Sequence, residues 1–348
     1  MIVSTLPRRL AVVIVVAVII AFLSIKLNAF RDYQIAEVAY EVTAVAGLTV
    51  LTGLSGQISL GHGAFMAIGG YTTALILLHL NWPFIAALLI AAAVTAAAGA
   101  VVGVAAARLR GPYLAGATLM LGVALPAVAY AYPATFGGDQ GLNVVFTTPA
   151  FLGANFPLTR WQAWVGAAVA LVTLLLLANL CYSRVGRNWR AVRDDDVAAA
   201  LDGINVALAR IRAFVVSATC AGIAGSLLAV ITALVAPGAY TLTLSIALLT
   251  AAVIGGLGSL PGALWGSLLI ILVPTYASDA ATSHGLSSSV GSNIPIAAYG
   301  VVLILVMLAF PQGIQGGLRR LVALFAGPMN RENEPVATPE HSEKEGSS

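Results

Sequence analysis

Charge is what this chain has least of. Only 9% of its 348 residues are Asp, Glu, Lys or Arg, and 59% are hydrophobic, with a mean hydropathy of +0.95. A water-soluble domain carries about 25% charged residues, so this chain cannot cover a water-facing surface. Cysteine is nearly absent too. Cys181 and Cys220 lie at the edge of or within apolar runs, which excludes a disulfide framework or a thiolate metal cage. No GxxxxGK[ST] loop occurs, so no P-loop holds a nucleotide. GLSGQISLG has no strand–turn–helix context and is not a nucleophile elbow. The alternating segments of about ten residues that mark a membrane β-barrel are also missing.

What the chain has is long, continuous apolar stretches such as AVVIVVAVIIAFLSI. A spanning helix takes about 20 such residues. Ten candidate spans follow: 10–27, 35–54, 62–80, 83–107, 113–132, 161–180, 213–235, 242–257, 262–277 and 294–310. The eighth and ninth are short enough to form one interrupted hairpin. The first, behind Pro7-Arg8-Arg9, has no small-x-small cleavage site after it and reads as a retained helix. The fold class is therefore an all-α polytopic membrane protein of about ten transmembrane helices. With ten spans, Arg8 and Arg9, the loop holding Arg108 and Arg110, the loop from Arg184 to Arg212 with its six arginines, and Arg319 with Arg320 all fall on one side. That is the positive-inside pattern, with both termini cytoplasmic. The net charge of +3 is thus spent on orientation in the bilayer, not on nucleic acid. Residues 1–326 form the membrane domain, and the polar tail 327–348 reads as disordered.

Three features interrupt the apolar pattern. Residues 53–65 read GLSGQISLGHGAF, with Gly56, Gln57, Ser59, Gly61 and His62 between two apolar runs. Unsatisfied polar groups in hydrocarbon are costly, so such a block either lines a watery cavity at membrane depth or makes a tight cytoplasmic turn. His62 is read either as a gate group or as a structural histidine bonded to a loosened backbone carbonyl. A second glycine-rich break holds Gly255, Gly256 and Gly258. The two breaks fall between different helix pairs in each half and establish no internal repeat. Glu37 and Glu41 share a helix face toward the outer end of the second span. Glu41 is read as lining an outer vestibule that meets a cationic group, or as pairing with Lys26 or Arg31.

The third feature is the loop 183–212, the sizeable polar segment between spans. Asp194, Asp195 and Asp196 precede an alanine run as in an acidic first helical turn, Gly203 ends that helix, and Asn205 starts another. Two short helices joined at Gly203 would suit docking into a groove on another protein. The plainer reading is a charged loop that only fixes topology.

The blocks of this chain resemble those of the branched-chain amino acid permease family of ABC importers, its LivM-like branch. In the polar loop the match runs through Gly186-Arg187, Arg190-Ala191, Arg193, the acidic trio, Ala198 to Ala200, Gly203-Ile204-Asn205, Ala213-Phe214 and Ser217-Ala218. The broader permease pattern has a glutamate where Val197 stands. Further blocks are Gly53-Leu54, Gly56-Gln57, Ser59 to His62; Arg108 to Leu114; Phe136-Gly137-Gly138 with Gly141-Leu142, where Thr135 is displaced by one position; Gly255 to Ser259 with Gly262; and Phe310 to Gly313 with Gly316. Together they cover about residues 35–320. The resemblance implies an ABC importer permease bundle in a bacterial inner membrane, moving branched-chain or other apolar amino acids by alternating access. It implies a second homologous permease, two cytoplasmic ABC ATPases and an extracytoplasmic substrate-binding protein. The chain itself would bind no cofactor, ATP being used by the ATPases. In the coupling loop it points to Gly186, Arg187, Arg190, Arg193, Asp194 to Asp196, Ala199, Gly203 and Asn205. Relatives that carry urea or short amides share these blocks. A stand-alone carrier or channel is the competing class, and it has no need of a docking loop.

Overall fold

The computed structural model describes residues 6–109, 111–149, 152–153, 155–283 and 294–325. Arg110 and the tail expected to be disordered lie outside the described residues. A chain in lipid has to satisfy its own backbone N–H and C=O groups, so the apolar runs wind into helices. In order these are α1 (Leu6–Lys26), α2 (Ala29–Leu48), α3 (His62–Leu75), α4 (Phe84–Ala106), α5 (Pro112–Ala131), a single turn α6 (Pro133–Phe136), α7 (Leu158–Tyr182), α8 (Arg184–Asp194), α9 (Asp196–Leu201), α10 (Val206–Thr232), α11 (Leu242–Gly255), α12 (Leu260–Ser283), α13 (Ile294–Ala309) and α14 (Gly313–Phe325). π-helical turns prolong α2 through Thr49–Leu54 and α3 through Ile76–Leu80. The one departure from all-α structure among the described residues is a pair of two-residue strands, β1 (Leu142–Asn143) antiparallel to β2 (Leu234–Val235).

Nine helices among the described residues are long and apolar enough to cross a membrane, and α13 with α14, bent by 44° between them, gives a tenth. By itself α13 has 16 residues, about 24 Å of helix, short of the roughly 30 Å hydrocarbon core. The span boundaries differ from the sequence reading in three places. α2 starts at Ala29 and not near residue 35, because Asn28 Oδ1 accepts from Arg31 N at 3.0 Å and caps it. α10 starts at Val206, seven residues earlier than expected. α12 is a full 24 residues, so only α11 of the suspected short pair is short.

The centre of the bundle is α2 beside α10, where 78% of each span is buried, against 6% for the lipid-facing α1. Small residues allow that packing. Cys220 Cβ stands 2.5 Å from where a side chain on Gly47 would begin, and Gly225 of α10 lies directly on the Met66 carbonyl of α3. With no hydrophobic drive between helices in lipid, such close backbone approach supplies the attraction.

Candidate functional site

The polar loop folds into α8 and α9, and the join lies at Asp195. Asp195 Oδ1 accepts from Val197 N at 2.8 Å and from Ala198 N at 3.1 Å, so it caps α9, while Asp194 closes α8 and Asp196 opens α9. Gly203, at φ +78°, connects α9 not to a second short helix but to the long span α10, whose cap is Asn205. The expectation of two short helices joined at Gly203 is corrected accordingly. A single carboxylate satisfies two orphan N–H groups, and that sets the elbow.

The elbow is fastened to the bundle. Trp189 is fully buried, and its Nε1 donates to the Ala209 carbonyl at 2.9 Å. Arg190 donates to the Cys181 carbonyl at 2.9 Å, Arg210 pairs with Asp196, and Gly186 rests against the Cys181 backbone. Ala199 is buried under the elbow, whereas Arg187 only reaches back to the Tyr182 carbonyl at 3.4 Å. Facing outward, Val197 is 69% and Leu201 85% exposed. They stand four residues apart, on one side of α9. Leu201 escaped the sequence reading. Its signal was an apolar i, i+4 pair with Val197, flanking the alanine run. A small open cleft lined by Val185, Asn188, Leu208 and Arg212 lies between α8 and the start of α10.

Arg193 links this elbow to the glycine-rich block, donating to the Gly53 carbonyl at 2.7 Å. The block is a turn between two consecutive spans, at the end of the bundle where α8 sits. Gln57 donates to Ser55 Oγ at 2.8 Å and to the Arg210 carbonyl at 3.1 Å. Ser59 Oγ accepts from Gly61 N at 3.4 Å, and Leu60 N donates to Thr118 Oγ1 at 3.0 Å. Thr118 lies six residues inside α5, so this half of the turn dips about 9 Å along that helix. Gly61 is packed against the Thr118 carbonyl, where a Cβ would approach to 2.5 Å. His62 is buried, with its Nε2 donating to the Ala44 carbonyl at 3.0 Å. The Ala44 carbonyl belongs to the regular part of α2, so this bond ties the start of α3 to the second half of α2.

The second glycine break meets the first. A side chain on Gly53 would run into the backbone of Gly258, whose own φ is +81°, and Gly256, at φ +110°, faces Gln312 and Gly313 of the third turn. Gly255 and Gly262 close the same turn backbone to backbone. Three glycine turns from distant parts of the chain thus form one knot beside Arg193.

Glu41 lies elsewhere. Because α2 starts at Ala29, Glu41 stands in the middle of the span Ala29–Leu54 and not toward its outer end. It is 3% exposed, and its Oε2 has no hydrogen-bond partner among the described residues. Arg31 donates instead to Gln34 at 2.8 Å and Tyr276 at 3.0 Å, and Asp32 pairs with Arg160 at 3.3 Å. Glu37, one turn away, is half-buried. Among the described residues no group of three or more His, Cys, Asp or Glu is placed to hold a metal ion.

The family model for "Branched-chain amino acid transport system / permease component" matches residues 32–311. The chain belongs to the branched-chain amino acid permease family. It is 27% identical to the high-affinity branched-chain amino acid transport system permease protein LivM of Salmonella typhimurium, over 94% of this chain and 80% of that one. LivM of Escherichia coli is also 27% identical, over 89% and 76%. LivH of Escherichia coli, a permease protein of the same description, is 30% identical over 80% of this chain and 91% of its own. No solved structure matches the chain. As a member of this family it is a multi-pass membrane transport protein. The match begins at Asp32, inside α2, and ends at Pro311, so it takes in the elbow and the first two glycine turns and stops just short of Gly313.

Proposed function

We propose that the chain is one of two permease subunits of an ATP-driven importer for branched-chain or other apolar amino acids. The observation that carries this is the α8–α9 elbow. It offers two exposed apolar side chains on a polar surface, and it is tied by Trp189 and Arg193 to the core of the bundle. A stand-alone carrier needs no such projection. The proposed partners are a homologous permease, two cytoplasmic ABC ATPases that receive the elbows, and an extracytoplasmic binding protein that delivers substrate. The chain binds no cofactor in this reading, and ATP is hydrolysed by the partners. The membrane is a bacterial inner membrane, with both termini in the cytoplasm.

In this mechanism closure of the ATPases moves α9, and α8 carries the movement to Gly53. The glycine knot then lets α2, α3, α11 and α12 shift against one another. Such a bundle switches between two packed arrangements, each open to one side. Glu41, buried at mid-span, is the group placed to meet the ammonium of the substrate on its way. Residues Gly56, Gln57, Ser59 and His62 act in the hinge and not as ligands.

The deciding experiment is purification of the tagged chain from its native membrane, followed by transport in proteoliposomes. The proposal expects two ATPases and a second permease in the complex, with leucine uptake that requires ATP. Uptake without ATP by the chain alone would establish the carrier reading. A complex that takes up urea or short amides but not leucine would move the substrate within the same importer class.

A further inference from the structure

The end of the bundle away from the elbow holds a second polar feature. β1 and β2 pair there, Val144 N donates to the Ala233 carbonyl at 2.9 Å, and Gly141 is wedged against Val235 and Ala236. From this cap two short segments, each with no more than a single helical turn, run into the bundle. One is α6 with Gly137 and Gly138, both at positive φ, which brings Phe136 onto Tyr71 with ring centroids 5.2 Å apart, edge to face. The other is Ala236 to Thr241, whose Tyr240 lies with its backbone beside Gly63, its hydroxyl against Gly70 and its ring 6.3 Å from that of Tyr71. Tyr71 stands nine residues into α3, about 14 Å along it, so this is membrane depth. Irregular backbone at that depth is tolerated where it lines a solute path.

Tyr240 is 1% and Tyr71 6% exposed, yet neither hydroxyl has a hydrogen-bond partner among the described residues. A buried donor is rarely left unpaired, and two side by side in one aromatic cluster need an explanation. Both are neutral O–H donors. Together they match the two oxygens of a carboxylate, while the rings of Tyr71, Tyr240 and Phe136 match an apolar side chain. Helix α11 starts two residues beyond Tyr240 with no side-chain cap on its first N–H groups, so its positive end favours an anion nearby.

We propose that Tyr71 and Tyr240 form a carboxylate-binding subsite for the amino acid in transit, shut here beneath the Phe136 and β1–β2 cap. The inference rests on the permease reading above and adds to it which part of the substrate is recognised and where. In the outward-facing state the cap lifts, the two hydroxyls turn to the carboxylate, and the substrate's side chain replaces the Phe136 ring against Tyr71.

The test uses the purified complex of permeases and ATPases in nanodiscs, without binding protein, and radiolabelled leucine with leucinamide as competitor. The wild type is expected to bind leucine at least tenfold more tightly than leucinamide. The double variant Tyr71→Phe, Tyr240→Phe is expected to lose that preference while keeping its Tm, since neither hydroxyl has a hydrogen-bond partner among the described residues. Unchanged leucine preference in the double variant overturns the subsite, and so does a lowered Tm, which would mean that the hydroxyls have structural partners. A wild-type complex that takes up leucine in proteoliposomes but binds leucine and leucinamide alike overturns the subsite alone. A complex with no ATP-dependent uptake of any apolar amino acid overturns the permease reading with it.

Discussion

Arg193 and Gly53 are 140 residues apart in sequence and joined by one hydrogen bond, guanidinium to carbonyl, at 2.7 Å. The carbonyl sits in the π-helical end of α2, where the regular ladder has already opened, so it is free to accept from outside. The stem of Arg193 also packs at Gly56, leaving 2.9 Å between its Cγ and any Cβ placed there. The elbow therefore grips the same turn that abuts the second glycine break at Gly258.

Arg193→Lys keeps the charge but loses the fork that spans Gly53 and Asp194. A hydrogen bond from a charged donor contributes about 1.5–3 kcal/mol, and about 1.4 kcal/mol is a tenfold change in an equilibrium. The variant complex should assemble and hydrolyse ATP normally while leucine uptake per ATP falls roughly tenfold. Proteoliposome uptake measured beside phosphate release checks this, and an unchanged ratio would remove Arg193 from the coupling route.

Leu201→Asp and Val197→Asp change side chains that lie mostly in solvent. Surface substitutions of this kind shift stability by no more than about 0.5 kcal/mol. If α9 is the docking surface, each variant should leave Tm in detergent unchanged and lose most of the co-purifying ATPase. Gly203→Arg belongs to the same test. A Cβ there meets nothing within 4 Å, but the left-handed backbone at φ +78° costs a non-glycine residue about 1–2 kcal/mol. It should insert normally and abolish uptake.

The glycine knot separates two kinds of glycine. Gly53→Ala forces a methyl group into the Gly258 backbone, with Leu257 carbonyl carbon at 2.9 Å, and overpacking of this kind costs about 1–3 kcal/mol. Gly300 of α13 has open space around its Cα, and alanine there favours a helix by about 1 kcal/mol. Thermal unfolding followed by tryptophan fluorescence should show Gly53→Ala well below the wild type and Gly300→Ala level with it or above. Equal midpoints for the two would mean that the turns do not meet as described.

Much of this was legible in the sequence because lipid leaves a chain few options. Runs of about 20 apolar residues have to be helices, and arginine placement is consistent with ten of them. What was not legible came from local caps and from tertiary contact. The window that placed the second span at residue 35 passed over Asn28, whose side chain begins the helix among polar residues. That shift alone moved Glu41 from the outer end to the middle. The acidic trio was read as one helical start, whereas only the Asp195 carboxylate turns inward to cap. No periodicity could say that Gly53, Gly258 and Gly313 share one knot, because close backbone approach leaves no trace in hydropathy. Nor does hydropathy mark the hydroxyls of Tyr71 and Tyr240, which are buried without a partner among the described residues.

Glu41 gives the remaining test. A carboxylate at mid-span with one unpartnered oxygen is destabilising as a purely structural group, since desolvation exceeds what partial pairing returns. Glu41→Gln keeps the shape and removes the charge. If the group serves transport, the variant should hold or raise Tm while the maximal rate of leucine uptake falls at least fivefold, with ATPase docking intact. If instead the carboxylate only holds α2 in place, Tm falls and uptake per folded complex stays level. Measuring both on one preparation distinguishes the two, because the side chain keeps its length and shape while it loses its charge.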